Sequence, residues 1–453
     1  MLKDVIKNLI LLKQNEIPFD IIRRDVELPL NRQKIITIPG VRRCGKSSMM
    51  SLVINSLVAS GVPVQNILWI GFDDERLRSM SSEDLDIIIQ AYMELFPAVP
   101  IKDVYFFFDE LPLIEGWEYF VLRLYKSYSK NIYICGSNAT TLSSEMKSAL
   151  RGHPLEYEIW PLSFNEFCRF RNITATPVLE SDYAKVKTGF SEYINGGAFP
   201  EVVLTRLESE KTKILQSYFD AMLLQDLVEH YKIANTGLLR YFIKRLMATL
   251  GTPASINAIY NDIRSQGYKV NKDDLYLWGE YACGIYLFVK IPKYNRSLIK
   301  EQKSLSKYYP IDTGLWRSVL LPLSQESGKS LENIVLIDLM RRKKPNGKIS
   351  YYGGKEECDF VLQEGDNVVE LIQVSWSLSD PQTEKREIRG LLAAAEETGC
   401  DTLTIITNDE ERVITGQVQG IIRVVPAWKW CLEGARIGGR AKSCGVKQPK
   451  VAE

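Results

Sequence analysis

Gly40-Val41-Arg42-Arg43-Cys44-Gly45-Lys46-Ser47 spells G-x-x-x-x-G-K-S, a loop pattern that cradles phosphates. The apolar run Ile35-Ile36-Thr37-Ile38 before it predicts a short buried strand, Pro39 and Gly40 break that strand, and Ser47 to Val53 opens a helix. Strand, loop and helix is the context this pattern needs. Glycines at 40 and 45 let consecutive backbone N–H groups close around a β-phosphate, and the helix N-terminus adds its partial positive charge. Lys46 is the candidate to hold the β- and γ-phosphates, and the Ser47 hydroxyl to ligate magnesium. Gly40, Arg43, Cys44, Gly45, Lys46, Ser47 and Ser48 are therefore the candidate ATP-binding residues.

Hydrolysis needs an acidic partner, and Tyr105-Phe106-Phe107-Phe108-Asp109-Glu110 supplies one ~60 residues downstream. Four aromatics ending in two carboxylates fit a parallel strand buried on both faces, with its acidic end at the C-terminal rim of the sheet. Asp109 is the expected magnesium residue and Glu110 the expected base for the attacking water. A third strand, Asn131 to Cys135, runs into Gly136-Ser137-Asn138, which brings Asn138 to the same rim to touch the γ-phosphate or orient the water.

Leu150-Arg151-Gly152-His153 and Tyr157 to Phe167 complete a pattern that resembles the prokaryotic AAA+ ATP-binding proteins carrying a C-terminal domain of unknown function with a nuclease-like fold. The resemblance extends through Gly196-Gly197-Ala198-Phe199-Pro200-Glu201 to Ile372-Gln373-Val374. It implies that Arg151 is an arginine finger or a sensor. The family usually has a second arginine where this chain has His153, which bears on whether Arg151 acts in a neighbouring subunit of a homo-oligomer.

The 453 residues divide by pattern into an N-terminal helix (1–29), an α/β AAA+ P-loop core (30–165), a helical lid or linker (166–235), a winged-helix-like domain (236–307), a nuclease-like α/β domain (308–435) and a polar tail (436–453). Helices are expected over Glu180 to Ile194, Lys211 to Tyr231, Leu239 to Leu250, after Ser255 and around Asp273 to Tyr281, with a strand over Gly284 to Val289. Three helices and a strand suggest a winged helix, with Arg264, Lys269 and Lys272 as candidate phosphate contacts.

From Tyr308 onward the order of helix, hairpin strands and crossover resembles the restriction-endonuclease-like core. That resemblance implies a magnesium site built from a helix-borne acid, an Asp opening a hairpin strand and an E-x-K pair on the next strand. Glu332 and Asp359 occupy the first two positions, but Gln373 and Ser375 stand where Glu and Lys belong. Glutamine is neutral, and serine brings no positive charge to the attacked phosphate. Glu370, three positions from Gln373 along a strand, faces the opposite side. Glu332, Asp359 and Gln373 thus read as a degenerate nuclease site without cleavage.

Lys+Arg of 57 against Asp+Glu of 56 gives a net charge of +1, so no global basic field argues for nucleic acid. No run approaches the ~18 apolar residues of a membrane span, and charges at Lys3 and Asp4 interrupt any leader-like apolar region, so a cytoplasmic protein is expected. The eight cysteines form no C-x-x-C pair and read as reduced thiols. ATP and magnesium are the expected cofactors. The partner is either double-stranded DNA or a protein, the latter with the chain as a nucleotide-gated switch or scaffold in a defence or toxin–antitoxin setting. An ATP-gated nuclease requires an acid that replaces Gln373.

Overall fold

The computed structural model describes residues 2–30, 33–136, 150, 152–320, 326–415 and 421–438. The chain divides into two compact units, one of Met1–Leu162, Phe199–Lys244 and Ile256–Val289, the other of Ser163–Ala198, Arg245–Ser255 and Lys290–Glu453.

The first unit is built on five parallel strands, Ile35–Pro39 (β1), Ile67–Gly71 (β2), Tyr105–Asp109 (β3), Ile132–Gly136 (β4) and Pro154–Glu156 (β5). Their order is β2-β3-β4-β1-β5. The aromatic run of β3 is explained by burial on both faces. Phe106 and Phe108 join a core with Ile88, Tyr92, Phe120 and Leu124 from the helices Asp86–Leu95 and Trp117–Ser127. Phe107 points the other way and stacks on Tyr133 at 4.7 Å and 10°. Each buried phenylalanine contributes about 2–3 kcal/mol of transfer free energy, so β3 is held firmly and its acidic end has a fixed address.

The N-terminal helix is shorter than its amphipathic pattern suggests. It covers Leu2–Asn15 and buries Ile6 and Ile10, then stops because Pro18 disfavours helical backbone at Ile17. The expected helix over Lys211 to Tyr231 is two pieces, an α-helix at Glu208–Ala221 and a π-helical stretch at Met222–Glu229. Helices at Thr236–Met247, Ile256–Ser265 and Lys272–Gly284 follow. The strand expected from Gly284 begins only at Phe288, because Tyr286 N–H and Leu287 N–H still bond the helix carbonyls of Cys283 and Ala282. Tyr286 itself turns the chain with φ +61°.

The second unit contains Pro253–Ala254 (β6), which pairs antiparallel with Ser306–Pro310 (β8); Phe288–Ile291 (β7) spans the boundary of the two units. Its main sheet runs β13-β14-β12-β11-β10-β9, from Gly347–Gly353 (β9), Glu357–Glu364 (β10), Asn367–Val374 (β11), Thr402–Thr407 (β12), Arg412–Ile414 (β13) and Ile421–Pro426 (β14). β9, β10 and β11 form an antiparallel meander, while β11, β12 and β14 are parallel. The helix Pro381–Thr398 makes the crossover from β11 to β12 and packs Ile388, Leu391 and Ala394 on the sheet. A Cβ at Gly390 would sit 2.0 Å from the Glu357 carbonyl oxygen. The closing helix Ala427–Gly438 carries into the stretch expected as a tail.

Gly196-Gly197 is a joint in this unit. Gly197 has φ +84°, and a Cβ there would lie 2.3 Å from Oδ1 of the buried Asp312. Asp312 accepts from Ala198 N–H at 2.7 Å and Leu315 N–H at 2.8 Å, and burial still holds its carboxyl up at about 6. Gly197→Ala combines an unfavourable φ with a clash, so it is expected to lower stability by about 2–4 kcal/mol. A thermal melt beside wild type checks this; an unchanged midpoint contradicts it.

Candidate nucleotide-binding site

β1 delivers the loop, and its local geometry follows from the glycines. Gly40 bridges to Ile159, and a Cβ there would meet the Ile159 carbonyl oxygen at 2.2 Å. Gly45, with φ +91° and ψ 31°, caps the helix Lys46–Ala59. The buried Lys46 spans the loop, donating from Nζ to the Val41 carbonyl at 3.0 Å. Cys44 is buried, with its Sγ 2.7 Å from the Val41 oxygen and 3.1 Å from that of Ile159. Arg24, itself buried, clamps the loop from outside, donating to the carbonyls of Cys44 at 2.8 Å and Trp160 at 2.9 Å. Arg43 lies 5.8 Å from the Tyr218 ring.

Asp109 ends β3 and Glu110 follows it. β4 lies between β1 and β3, and its Cys135 Sγ donates to Asp109 Oδ1 at 2.5 Å. Ser47, at the start of the loop's helix, lies near enough to Asp109 to favour its charged form. Burial pushes the Asp109 carboxyl up from its ordinary value; the Cys135 bond and the nearby Ser47 hydroxyl pull against that, and the charges of Glu110 and Asp73 add to it. The Ser47 hydroxyl and the Asp109 carboxylate are hard oxygen donors of the kind a divalent cation such as magnesium takes. Glu110 follows with φ +52°, a left-handed backbone for a residue with a side chain. Such strain is retained where the surroundings over-determine it, commonly at sites of chemistry. Asn138 and Arg151 lie outside the described residues. His153, in place of the family's second arginine, packs on Tyr125 with ring centroids 4.7 Å apart.

Sequence reading misses three residues here. Arg24 and Asp73 lie in stretches without a motif, and Asp226 comes from the π-helical stretch far along the chain. Asp226 takes both Nε and Nη2 of Arg42, at 3.0 and 2.7 Å.

In the second unit, the structure brings Glu332, Asp359 and Gln373 together at a cleft of about 880 Å³, with neighbours that the sequence left unassigned. The fully buried Lys307 of β8 lies 3.3 Å from Glu332, 2.6 Å from Glu357 and 3.7 Å from Asp359. Tyr309 donates to Glu332 at 2.6 Å. Gln373 accepts from Asp359 N–H at 3.2 Å and donates to Glu387 at 2.5 Å. Burial drives the Asp359 carboxyl well up, and Glu332 adds to that. Burial alone would lower the Lys307 ammonium, but Glu332, Asp359 and Glu357 hold it charged and raise it. Among the described residues, no group of three or more His, Cys, Asp or Glu is set to hold a metal.

Residues 32–168 match the family described as an AAA domain, and residues 187–327 match a domain of unknown function (DUF8612). Loop, parallel sheet and acidic strand end together make the first unit's core that of an AAA-type P-loop ATPase, a nucleotide-binding fold. The chain is 33% identical over 421 residues to the uncharacterized protein MJ1544 of Methanocaldococcus jannaschii, covering 91% of each, and it belongs to the family of that protein. An uncharacterized protein of Haemophilus influenzae is 30% identical over 349 residues, 76% of this chain and 83% of the relative. Similar solved structures include the Walker-type ATPase PABY2304 of Pyrococcus abyssi, 14% identical with a TM-score of 0.38, covering 69% of this chain and 94% of that one. The ORC1 protein of Aeropyrum pernix in complex with DNA is 11% identical with a TM-score of 0.30, covering 70% of this chain and 91% of that one. No described helix is long and apolar enough to cross a membrane.

Proposed function

We propose that this chain is a magnesium-dependent ATPase that works on DNA. The observation that carries the hydrolytic part is the placement of Asp109 and Glu110 at the end of β3, one strand away from the loop that β1 delivers, with Ser47 near enough to act on the Asp109 carboxyl. In this reading the loop N–H groups and Lys46 hold the phosphates, Ser47 and Asp109 hold magnesium, and Glu110 takes the proton of the attacking water. Bound magnesium supplies charge neutralisation on the phosphates. Arg151 completes the charge stabilisation from a neighbouring copy in a homo-oligomer, or from within its own chain.

DNA is favoured over a protein partner by one largely exposed stretch of the first unit, residues 264–276. Arg264, Lys269 and Lys272 are exposed beside the exposed rings of Tyr268 and Tyr276, a mixture of cations for phosphates and aromatic faces. Double-stranded DNA is expected to stimulate ATP turnover, and the joint substitution of those three basic residues by Ala to remove the stimulation while leaving basal turnover intact. Equal turnover with and without DNA at low salt would move the reading to the nucleotide-gated protein switch.

The nuclease-like domain serves contact rather than cleavage in this account. The Lys307 ammonium lies among Glu332, Glu357 and Asp359, where a cleavage site would need a divalent ion, and the Gln373 amide is taken up by Glu387 and the Asp359 backbone. No cutting of linear, supercoiled or branched DNA in magnesium or manganese is expected. Cutting that Asp359→Ala removes and Lys46→Ala spares would overturn this.

A further inference from the structure

Arg42 sits inside the phosphate loop, yet its guanidinium is committed elsewhere. It meets Asp226 in a two-point fork, the geometry in which arginine binds carboxylate or phosphate most strongly. The pair is largely shielded, with side chains 28% and 12% exposed. Asp226 belongs to the π-helical stretch Met222–Glu229. Backbone of that kind is rare and is concentrated at functional positions, since its hydrogen bonding is less favourable than that of the α-helix preceding it. Asp226 also lies within the electrostatic reach of both Glu110 and Lys46, and Arg42 within that of Glu110 and Glu229. Glu110, Glu229 and Lys46 thus lie within electrostatic reach of the Arg42–Asp226 pair beside the loop.

We propose that Arg42 and Asp226 form a nucleotide-reading latch: a γ-phosphate beside Lys46 draws Arg42 away from Asp226 and thereby releases the Met222–Glu229 stretch. The idea rests on the ATP-binding reading above. Its physical basis is competition for one guanidinium. A γ-phosphate brings more negative charge than a carboxylate and offers the same paired oxygens to the arginine fork. It also arrives beside Asp226 and Glu110, so repulsion weakens the old pair as the new one forms. ADP lacks that phosphate and leaves the latch closed. Asp226 is then a positioning residue: it touches no nucleotide, but it sets where Arg42 points and couples phosphate occupancy to the helical segment.

Hydrogen–deuterium exchange of the full chain, read over residues 222–229, tests this with ADP and with a non-hydrolysable ATP analogue, both in magnesium. In wild type the analogue is expected to raise exchange of the stretch severalfold and ADP to leave it unchanged. Asp226→Asn should exchange fast with either nucleotide. It should also raise the ratio of analogue to ADP affinity about tenfold, within the usual range of coupling between sites, because Arg42 is free for phosphate. Asp226→Glu should restore both wild-type behaviours. Equal exchange with ADP and analogue in wild type overturns the latch without recourse to any variant, and so does an Asp226→Asn protein with an unchanged affinity ratio. The two readings fail differently. Calorimetry that detects neither nucleotide removes the ATP assignment and the latch together, whereas Lys46-dependent binding with uniform exchange removes the latch alone.

Discussion

Glu110→Gln is expected to bind ATP as wild type does and to hydrolyse it at least ~10²-fold more slowly, the scale of losing a general base. The substitution is nearly isosteric, so the left-handed backbone at Glu110 and the neighbouring Asp109 should keep their places. What it removes is a proton acceptor one residue beyond the Asp109 carboxylate proposed to hold magnesium. Measuring the ATP dissociation constant by calorimetry and turnover by phosphate release separates the two effects. Turnover within twofold of wild type would take the base role from Glu110. A matched loss of affinity would mean that Glu110 holds the loop rather than activating water.

Lys46→Ala should abolish detectable ATP binding. The ammonium is buried and spans the loop to the Val41 carbonyl, so its removal takes a cation from the phosphate cradle and a hydrogen bond from the loop itself. A ligand at 100 times its dissociation constant stabilises a folded protein by about 2.7 kcal/mol. Saturating ATP should therefore raise the melting temperature of wild type and leave that of Lys46→Ala unmoved. Equal shifts in the two proteins would contradict the assignment.

The parts of the first unit that the sequence makes legible are local ones. Gly40 to Ser47 sets a strand, a loop and a helix by residue type alone, and the aromatic run ending in Asp109 and Glu110 implies a strand buried on both faces; Phe107 and Phe108 are packed on opposite sides as that requires. In the second unit, the strand Thr402–Thr407 follows the apolar positions Leu403, Ile405 and Ile406. Long-range partners left no mark. Nothing in Leu224-Gln225-Asp226-Leu227 says that its acid meets a loop arginine 184 residues earlier, and nothing around Arg24 says that it caps the loop's Cys44 carbonyl. Lys307 left a faint signal, a lysine inside the aromatic strand Lys307-Tyr308-Tyr309, since a charge in such a strand needs buried partners. The strand expected from Gly284 fails for a related reason: Gly284 to Leu287 is apolar enough for a strand, but the preceding helix keeps two of its N–H groups.

The Gly40–Ser47 loop and the Asp109–Glu110 strand end are proposed to form one ATP-hydrolysing site. Phosphate release from ATP by the purified full chain, with magnesium and after its chelation, for wild type and Lys46→Ala side by side, tests it most directly. Multiple turnovers by wild type with magnesium are expected, and none above background after chelation or in Lys46→Ala. Turnover that survives either loss, or its absence from wild type both with and without DNA, would contradict it.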